Sequence, residues 1–339
     1  MADCHPQAHR RGGRLILLEL LVLLVLVLAP FVVSHYFTIL LTRFLILALL
    51  ALSFDLVWGY AGIMSFGQSL FFGAAAYAVA MAVKLTGSAP LIAVFPATLA
   101  IGAALALIIA ILLFGRRIGA SSAMLAALGT LTATYIAERI VRTTNVLGGQ
   151  NGLSVPSAPS LGSFSIDLGV PFYVLALLTL LATYLICRFL VRSQLGLVLA
   201  GLRTDERRIA FLGYDVVVLR VITFTFAGAI GGLSGGLYAL HEGFIAPNVI
   251  GVTLATQAVL YGLFGGIGTL IGPVIGVILI EGLSYKLADQ FPYLWPILLG
   301  ILLLLLVIFR PSGLVGLLVS DRERIGRFGT SRRASGQSS

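Results

Sequence analysis

Residues 203–213 read RTDERRIAFLG, and the reading of this stretch decides how the rest of the chain is understood. It puts five charges into the six residues from Arg203 to Arg208, in a chain that is 59% hydrophobic and only 10% charged. Apolar runs long enough to cross a bilayer lie on both sides of it. The local signals describe a short helix. The Thr204 hydroxyl is placed to accept backbone N–H groups at the N-terminus. Asp205 and Glu206 then fall at the positive end of the helix dipole, Arg207 and Arg208 follow, and Gly213 supplies a left-handed stop. Leu202, Ile209 and Leu212 share roughly one face at helical spacing. Spacing alone leaves two readings open. One is an amphipathic helix on a membrane loop that docks a soluble partner; the other is a solvated loop carrying positive-inside charge.

Working outward, the whole composition names the solvent. The chain has 339 residues, 39 of them glycine, and a mean hydropathy of +1.07. A soluble chain keeps about a quarter of its residues charged, so this one cannot cover itself with polar groups and lipid must surround it. The net charge of +9 is almost wholly arginine, with lysine only at Lys84 and Lys286. The arginines gather in tails and short loops, where they set membrane orientation, so nucleic-acid binding is not indicated. Cys4 lies in the N-terminal tail and Cys187 at a helix end, too few for a disulfide framework and read as free thiols. The run 15–33 follows Arg10, Arg11 and Arg14 and imitates a signal peptide. Its apolar part is too long and no small-x-small site follows at 34–36, so it is read as a retained first span.

Apolar runs set against arginine placement predict an all-α polytopic membrane protein of about ten spans, some broken or glycine-rich, with both termini cytoplasmic. The spans are 15–33, 38–57, 60–83, 90–114, 119–140, 170–189, 217–240, 252–263, 267–287 and 293–309. Residues 252–263 and 267–287 are short or glycine-rich. The inside pair Arg116 and Arg117 follows the fourth span, a long outside segment covers 142–169, and 203–213 falls in an inside loop at 191–216. Residues 1–14 form a basic inside tail. Residues 15–310 form the transmembrane domain, and 311–339 an inside tail with basic 322–333 and a Ser/Gly/Arg-rich, partly disordered end at 329–339.

Four further features carry candidate chemistry. Residues 59–77 (GYAGIMSFGQSLFFGAAAY) place Gly62, Ser65, Gly67, Gln68 and Ser69 at membrane depth. A broken helix survives there only beside protein or a watery cavity, so the stretch either lines a polar path or is a tightly packed helix. Residues 148–153 (GGQNGL) bring Gly148, Gly149, Gln150, Asn151 and Gly152 into the outside segment, ahead of Pro156, Pro159 and Pro171. They form a gate or partner-binding loop, or an ordinary turn. Gly228, Gly232 and Gly236, with Gly231 and Gly235 offset by one, give a small-xxx-small face read as helix packing, and Gly268, Gly272 and Gly276 repeat it. Arg43, Asp55, Glu138, Arg139 and Glu281 are membrane-depth charges, costing roughly 2.5–3.5 kcal/mol each at a helix centre. Snorkelling explains several; Asp55 and Glu281 remain path or pairing residues without a named partner.

An enzyme reading finds little footing. Gly232-Leu233-Ser234-Gly235 matches the G-x-S-G of intramembrane serine proteases. His241, however, lies about 10 Å along the same helix, and His5, His9 and His35 are in a tail or near an outer end. A Walker A loop needs Gly-Lys, whereas Lys84 follows Val83 and Lys286 follows Tyr285. No His/Cys cluster suggests a metal. A secondary carrier or channel working alone would need an intramembrane ion relay, for which only Asp55 and Glu281 stand available.

Taken together, these residues resemble the membrane permeases of branched-chain amino acid ABC importers, the LivM-type subunit. Residues 59–77 look like the family's G-Y-x-G-x-x-S-x-G-x-x-x-F-x-G run, and 148–153 its outside G-G-x-x-G-L. Residues 203–213 are similar to its EAA-type loop, continuing through 227–238, and 265–276 (GGIGTLIGPVIG) match its G-G-x-G-T-x-x-G-P-x-x-G signature. No one stretch is specific; their order from Gly59 to Gly276 is. Ala75 stands where the family commonly has glycine, and Glu206-Arg207-Arg208-Ile209-Ala210 replaces the first alanine of the loop.

The resemblance implies a permease subunit in the bacterial inner membrane, surrounded by lipid, working by alternating access. Its partners would be two ATPase subunits, a second homologous permease in a heterodimer, and a periplasmic substrate-binding protein. It implies no catalytic residue, metal or cofactor on this chain, with ATP and magnesium on the ATPase. The ATPase-coupling residues would be Arg203, Thr204, Asp205, Glu206, Arg207, Arg208, Ile209, Ala210, Phe211, Leu212 and Gly213. Branched-chain amino acids are the implied cargo, with urea and short amides moved by close relatives.

Overall fold

The structure, a computed structural model, describes residues 13–115, 122–155, 159–161, 164–290, 294–309 and 313–315. The expectations for Cys4, His5, His9, Arg116, Arg117 and Pro156, and for the tails at 1–12 and 316–339, fall outside those residues. The described chain is predominantly helical, and six of its helices are long and apolar enough to cross a membrane. They are α2 (His35–Asp55, prolonged by a π turn at Leu56–Tyr60), α3 (Gln68–Thr86), α4 (Leu91–Phe114), α5 (Ser122–Thr143), α6 (Val170–Arg192) and α9 (Val216–Glu242). Helices α1 (Gly13–Val32), α10 (Val252–Gly265), α11 (Ile271–Gln290) and α12 (Trp295–Phe309) are also apolar. Two short helices, α7 (Gln194–Thr204) and α8 (Glu206–Phe211), fill the loop between α6 and α9.

Helix α9 is the hub, and its glycines explain why. A Cβ on Gly102 of α4 would lie 2.9 Å from the Gly232 Cα, and a Cβ on Gly232 would lie 2.8 Å from the Gly102 Cα. Lipid gives helices no hydrophobic push toward each other, so such close backbone approach supplies the packing energy instead. Gly228 and Gly236 meet Ala106 and Thr98 on the same α4 face, while Gly231 and Gly235 turn toward Gln68 and Phe72 of α3. Against α2 the contact is antiparallel and hydrogen-bonded. Ser53 Oγ donates to the Ala227 carbonyl at 2.7 Å and Ser234 Oγ to the Ile46 carbonyl at 2.6 Å. His241 Nε2 lies 3.1 Å from the Ile39 carbonyl.

Helix α1 sits at the edge, joined through polar contacts that the sequence reading did not find. Tyr173 donates to the Leu26 carbonyl at 2.6 Å, Tyr184 to Glu19 Oε1 at 2.7 Å, and Arg188 of α6 pairs with Glu19. Glu19, half-buried in an otherwise apolar span, is therefore paired rather than snorkelling.

The two ends differ. At one end, short strands use up the backbone groups of the connections: β1 (Ala89–Pro90), β2 (Leu153–Ser154), β3 (Pro159–Leu161), β4 (Phe164–Ser165) and β5 (Phe244–Ile245). Strand β3 pairs in parallel with β1 and antiparallel with β4, and β2 pairs antiparallel with β5. These strands depart from the all-α expectation, because a connection folded back onto helix ends must pair its own N–H and C=O groups. The opposite end carries α7, α8, the π turn and the α10 to α11 connection.

Candidate functional site

The charged stretch folds as the end of one helix and the whole of the next, which corrects the reading of its N-terminus. Thr204 closes α7, its hydroxyl donating to the Ala200 carbonyl at 3.0 Å. Asp205 is the cap of α8 instead, its carboxylate accepting the Arg208 N–H at 3.2 Å. A carboxylate outcompetes a hydroxyl at that position because the bond is charge-assisted and favoured by the helix dipole. Gly213 takes the left-handed stop at φ 88°. Leu202 and Ile209 are buried, whereas Leu212 is 67% exposed and Phe211 90% exposed. The apolar face foreseen across Leu202, Ile209 and Leu212 is thus split, because Leu202 belongs to α7.

The charges divide in the same way. Arg207 and Arg208 are exposed, whereas Glu206 turns inward to Arg220 of α9 at 2.7 Å. Arg203 reaches back across α7 to donate to the Gly59 carbonyl in the π turn. Helix α8 therefore presents Arg207, Arg208, Phe211 and Leu212 outward while Glu206 fastens it to α9, and Arg203, in the last turn of α7, fastens the preceding helix to the π turn.

The π turn adjoins a buried carboxylate. Asp55 is fully buried, and its two oxygens accept the Gly268 N–H at 2.6 Å and the Leu270 N–H at 3.0 Å. Those donors converge because Gly266, Gly268 and Leu270 have φ of 116°, 79° and 58°, turning successive N–H groups inward as an anion-binding concavity. Leu270 holds that conformation without glycine's freedom, at a cost of roughly 1–3 kcal/mol, offset by the bond to Asp55. Thr269 Oγ1 donates to the Gly266 carbonyl at 2.8 Å and accepts the Gly272 N–H at 3.0 Å. A Cβ on Gly59 would stand 2.8 Å from the Gly268 nitrogen, so the π turn and this loop touch backbone to backbone. Asp55, left without a partner by sequence reasoning, belongs to residues 265–276. Gly272 and Gly276 let α11 pack against residues 261–266 of α10 and its connection.

Above this node two segments without α-helix meet inside the bundle. The first, 61–67, leads from the π turn to α3; the second, 246–251, which includes a single 3-10 turn at Pro247–Val249, leads from β5 to α10. Gln68, which starts α3, stands with Oε1 2.7 Å from Ser53 Oγ, sharing that single hydroxyl proton with the Ala227 carbonyl. Ser53 lies about 10 Å along α2 from Tyr60, so α3 begins within the membrane. Helix α10, at 14 residues, is about 21 Å long and too short to cross alone. Ser69 Oγ donates to the Ile250 carbonyl at 3.1 Å, and a Cβ on Gly73 would lie 2.9 Å from the Ile250 Cα. Phe66 N–H donates to Thr130 Oγ1 at 3.0 Å, its carbonyl accepts from Thr134 Oγ1 at 3.2 Å, and Gly67 N–H donates to Ser65 Oγ at 3.1 Å. Irregular backbone is tolerated at this depth because side chains take up its polar groups. Ser65, Gln68 and Ser69 are buried where the two segments meet; Gly62, at φ 71°, abuts Arg203. The Gln68 Nε2 is buried with no hydrogen-bond partner among the described residues. Sequence reasoning gave 246–251 no role, since it falls between the apolar runs 217–240 and 252–263.

Residues 148–153 form a tight turn at the strand-bearing end. Gly148, Gly149 and Gly152 have φ of 83°, 55° and 75°, a backbone that residues with a side chain rarely adopt. The turn delivers Leu153 opposite Ile245 and leaves Gln150 and Asn151 exposed. Nearby, Glu138 receives a two-pronged contact from Arg142 at 2.9 and 2.6 Å. Arg139 donates to the Tyr135 hydroxyl at 2.8 Å, and Glu281 accepts from Tyr261. The protease arrangement is not formed, since Ser234 and His241 are each bound to a different carbonyl of α2.

A bundle of apolar helices, six of them long enough to cross a membrane, with a fastened charged helix at one end, defines a multi-pass membrane protein. Residues 36–307 match the family described as branched-chain amino acid transport system / permease component, and the chain belongs to it. It is 26% identical over 322 residues to the high-affinity branched-chain amino acid transport system permease protein LivM of Escherichia coli, covering 88% of this chain and 74% of that one. It is 28% identical over 316 residues to the probable LivM permease of Methanocaldococcus jannaschii, covering 79% and 89%. A 157-residue match to BraD of Pseudomonas aeruginosa, also named a branched-chain amino acid permease, is 29% identical and covers 44% and 50%. No solved structure matches.

Proposed function

We propose that this chain is the membrane-spanning subunit of an ABC importer for branched-chain amino acids, driven by two separate ATPase subunits. A second, homologous permease completes the route as a heterodimer, and a periplasmic binding protein delivers the cargo. In this reading the chain lies in the bacterial inner membrane with about ten spans and both termini cytoplasmic. Residues 15–310 form the permease domain, 142–169 the periplasmic segment and 191–216 the cytoplasmic coupling loop. The α8 end faces the cytoplasm and the strand-bearing end the periplasm, where Gln150 and Asn151 meet the binding protein.

The observation that carries the reading is the double fastening of the α7–α8 pair. A docking helix transmits force only if it moves as one body with the spans. Glu206 with Arg220 links α8 to α9, and Arg203 with the Gly59 carbonyl links α7, which runs into α8 through Asp205, to the π turn of α2. The outward set Arg207, Arg208, Phe211 and Leu212 would sit in a groove of the ATPase. Closure of the ATPase pair would then pull on the π turn and the Asp55 loop, parting the seam at Ser69 and Ile250. ATP drives transport only if the two states bind their partners with different free energy.

The test separates docking from fastening. Charge reversal at Arg207 and Arg208 with Phe211→Ser is expected to abolish ATPase co-purification and uptake while the protein stays in the membrane. Glu206→Ala is expected to keep co-purification but lower uptake. Unchanged uptake in the triple variant contradicts the proposal.

A further inference from the structure

A second set of ionisable groups lies on the other half of the bundle, unused by the coupling end. Arg43 of α2 stands 3.6 Å, through Nε, from Glu242 Oε1 of α9, which lies 3.5 Å from His241 Nδ1. Glu281 of α11 accepts from Tyr261 of α10. Tyr238, Glu242, Tyr261 and Glu281 all lie within electrostatic range of Arg43. Four helices thus bring one guanidinium and two carboxylates together.

Depth makes this set expensive. Arg43 is about 12 Å along α2 from His35, and Glu281 about 13.5 Å along α11 from Gln290. Tyr36, Phe37 and Tyr285 lie above them as an aromatic group, with ring centroids 5.8–6.2 Å apart, at the level where such rings mark the interface. Below that level lipid solvates no charge, and ionisable side chains face protein or water. Yet the Arg43 side chain is 41% exposed and that of Glu242 27%. The ion pair is also loose, since 3.6 Å exceeds a hydrogen bond. The buried Nε of Arg43 has no hydrogen-bond partner among the described residues. A cation with spare donors stands beside one carboxylate and within electrostatic range of a second, an arrangement that suits a ligand bearing both charges. Ile39 and Ile278, one turn from Arg43 and Glu281, offer apolar surface beside it.

We propose that this cluster is a solute-binding site on the transport route for a zwitterionic amino acid, Arg43 receiving the carboxylate and Glu281 and Glu242 the ammonium group. The assignment rests on the amino acid permease reading and adds to it the residues that hold the solute.

The experiment uses the assembled transporter in proteoliposomes, with Ile39→Cys as reporter one turn from Arg43. A membrane-impermeant methanethiosulfonate is expected to label it from the water phase. L-leucine at ten times its half-protecting concentration slows labelling roughly tenfold, while leucinamide and isovalerate, each lacking one charge, do not. Arg43→Gln removes the protection and Arg43→Lys restores part of it. No labelling of the reporter, or labelling that leucine leaves unchanged, overturns the proposal, whether or not Arg43→Gln assembles. ATP hydrolysis stimulated by leucine-loaded binding protein is measured alongside. If stimulation occurs without protection, only this site is wrong; if stimulation is absent, the importer reading fails on its own terms.

Discussion

Replacing Asp55 with alanine is the sharpest perturbation of the node that joins the π turn to the α10 to α11 connection. The carboxylate is fully buried and accepts two backbone N–H groups, from Gly268 and Leu270, at 2.6 and 3.0 Å. Alanine leaves both donors buried without acceptors, each at a cost of about 1–3 kcal/mol, or about 2–6 kcal/mol together. The loop adds to the imbalance, because Leu270 keeps its left-handed φ of 58° only while something holds it. Even the lower bound, about 2 kcal/mol, is roughly a thirtyfold shift between closed and open loop. Hydrogen exchange read on peptides across residues 262–275 should therefore accelerate by about thirtyfold or more in Asp55→Ala. Asp55→Asn keeps one acceptor and should fall between. Exchange unchanged from wild type would refute the reasoning, since it would mean the two N–H groups do not depend on Asp55.

Three further outcomes follow from the same geometry. Gly232→Leu forces α4 and α9 apart where their backbones touch; it should lower the melting temperature markedly, whereas Gly282→Leu, in open space, should not. Gln68→Leu removes the acceptor for Ser53 but leaves Ser53 its bond to Ala227, so it should slow uptake without weakening ATPase co-purification; unaltered uptake would make the seam simple packing. Gly148→Ala places a Cβ against the Gly152 carbonyl at φ 83° and should lower stimulation by the binding protein, with ATPase association retained.

The spans were legible because lipid demands long apolar runs, and α4, α6 and α9 fall within a few residues of where hydropathy puts them. Residues 203–213 were legible as a charged break, but not the register of their cap, because Thr204 and Asp205 are adjacent good caps and the sequence reading took the hydroxyl where the charge-assisted carboxylate prevails. What could not be read were pairings across distance. Asp55 and Gly268 lie 213 residues apart, and Glu19 finds Arg188 and Tyr184 only when α1 lies against α6. The segment 246–251 was given no role because its depth is set by Ser69 and Gly73. Arg43 and Glu281 could each be named as costly, while their proximity needed α2 and α11 side by side.

The most direct test is solute accumulation in vesicles. Purified chain, joined by its partner permease and ATPases, should accumulate L-leucine only with ATP and loaded binding protein, and a Walker A lysine variant of the ATPase should abolish it. Accumulation by this chain alone, driven by an ion gradient, would contradict the division between the route and its motor.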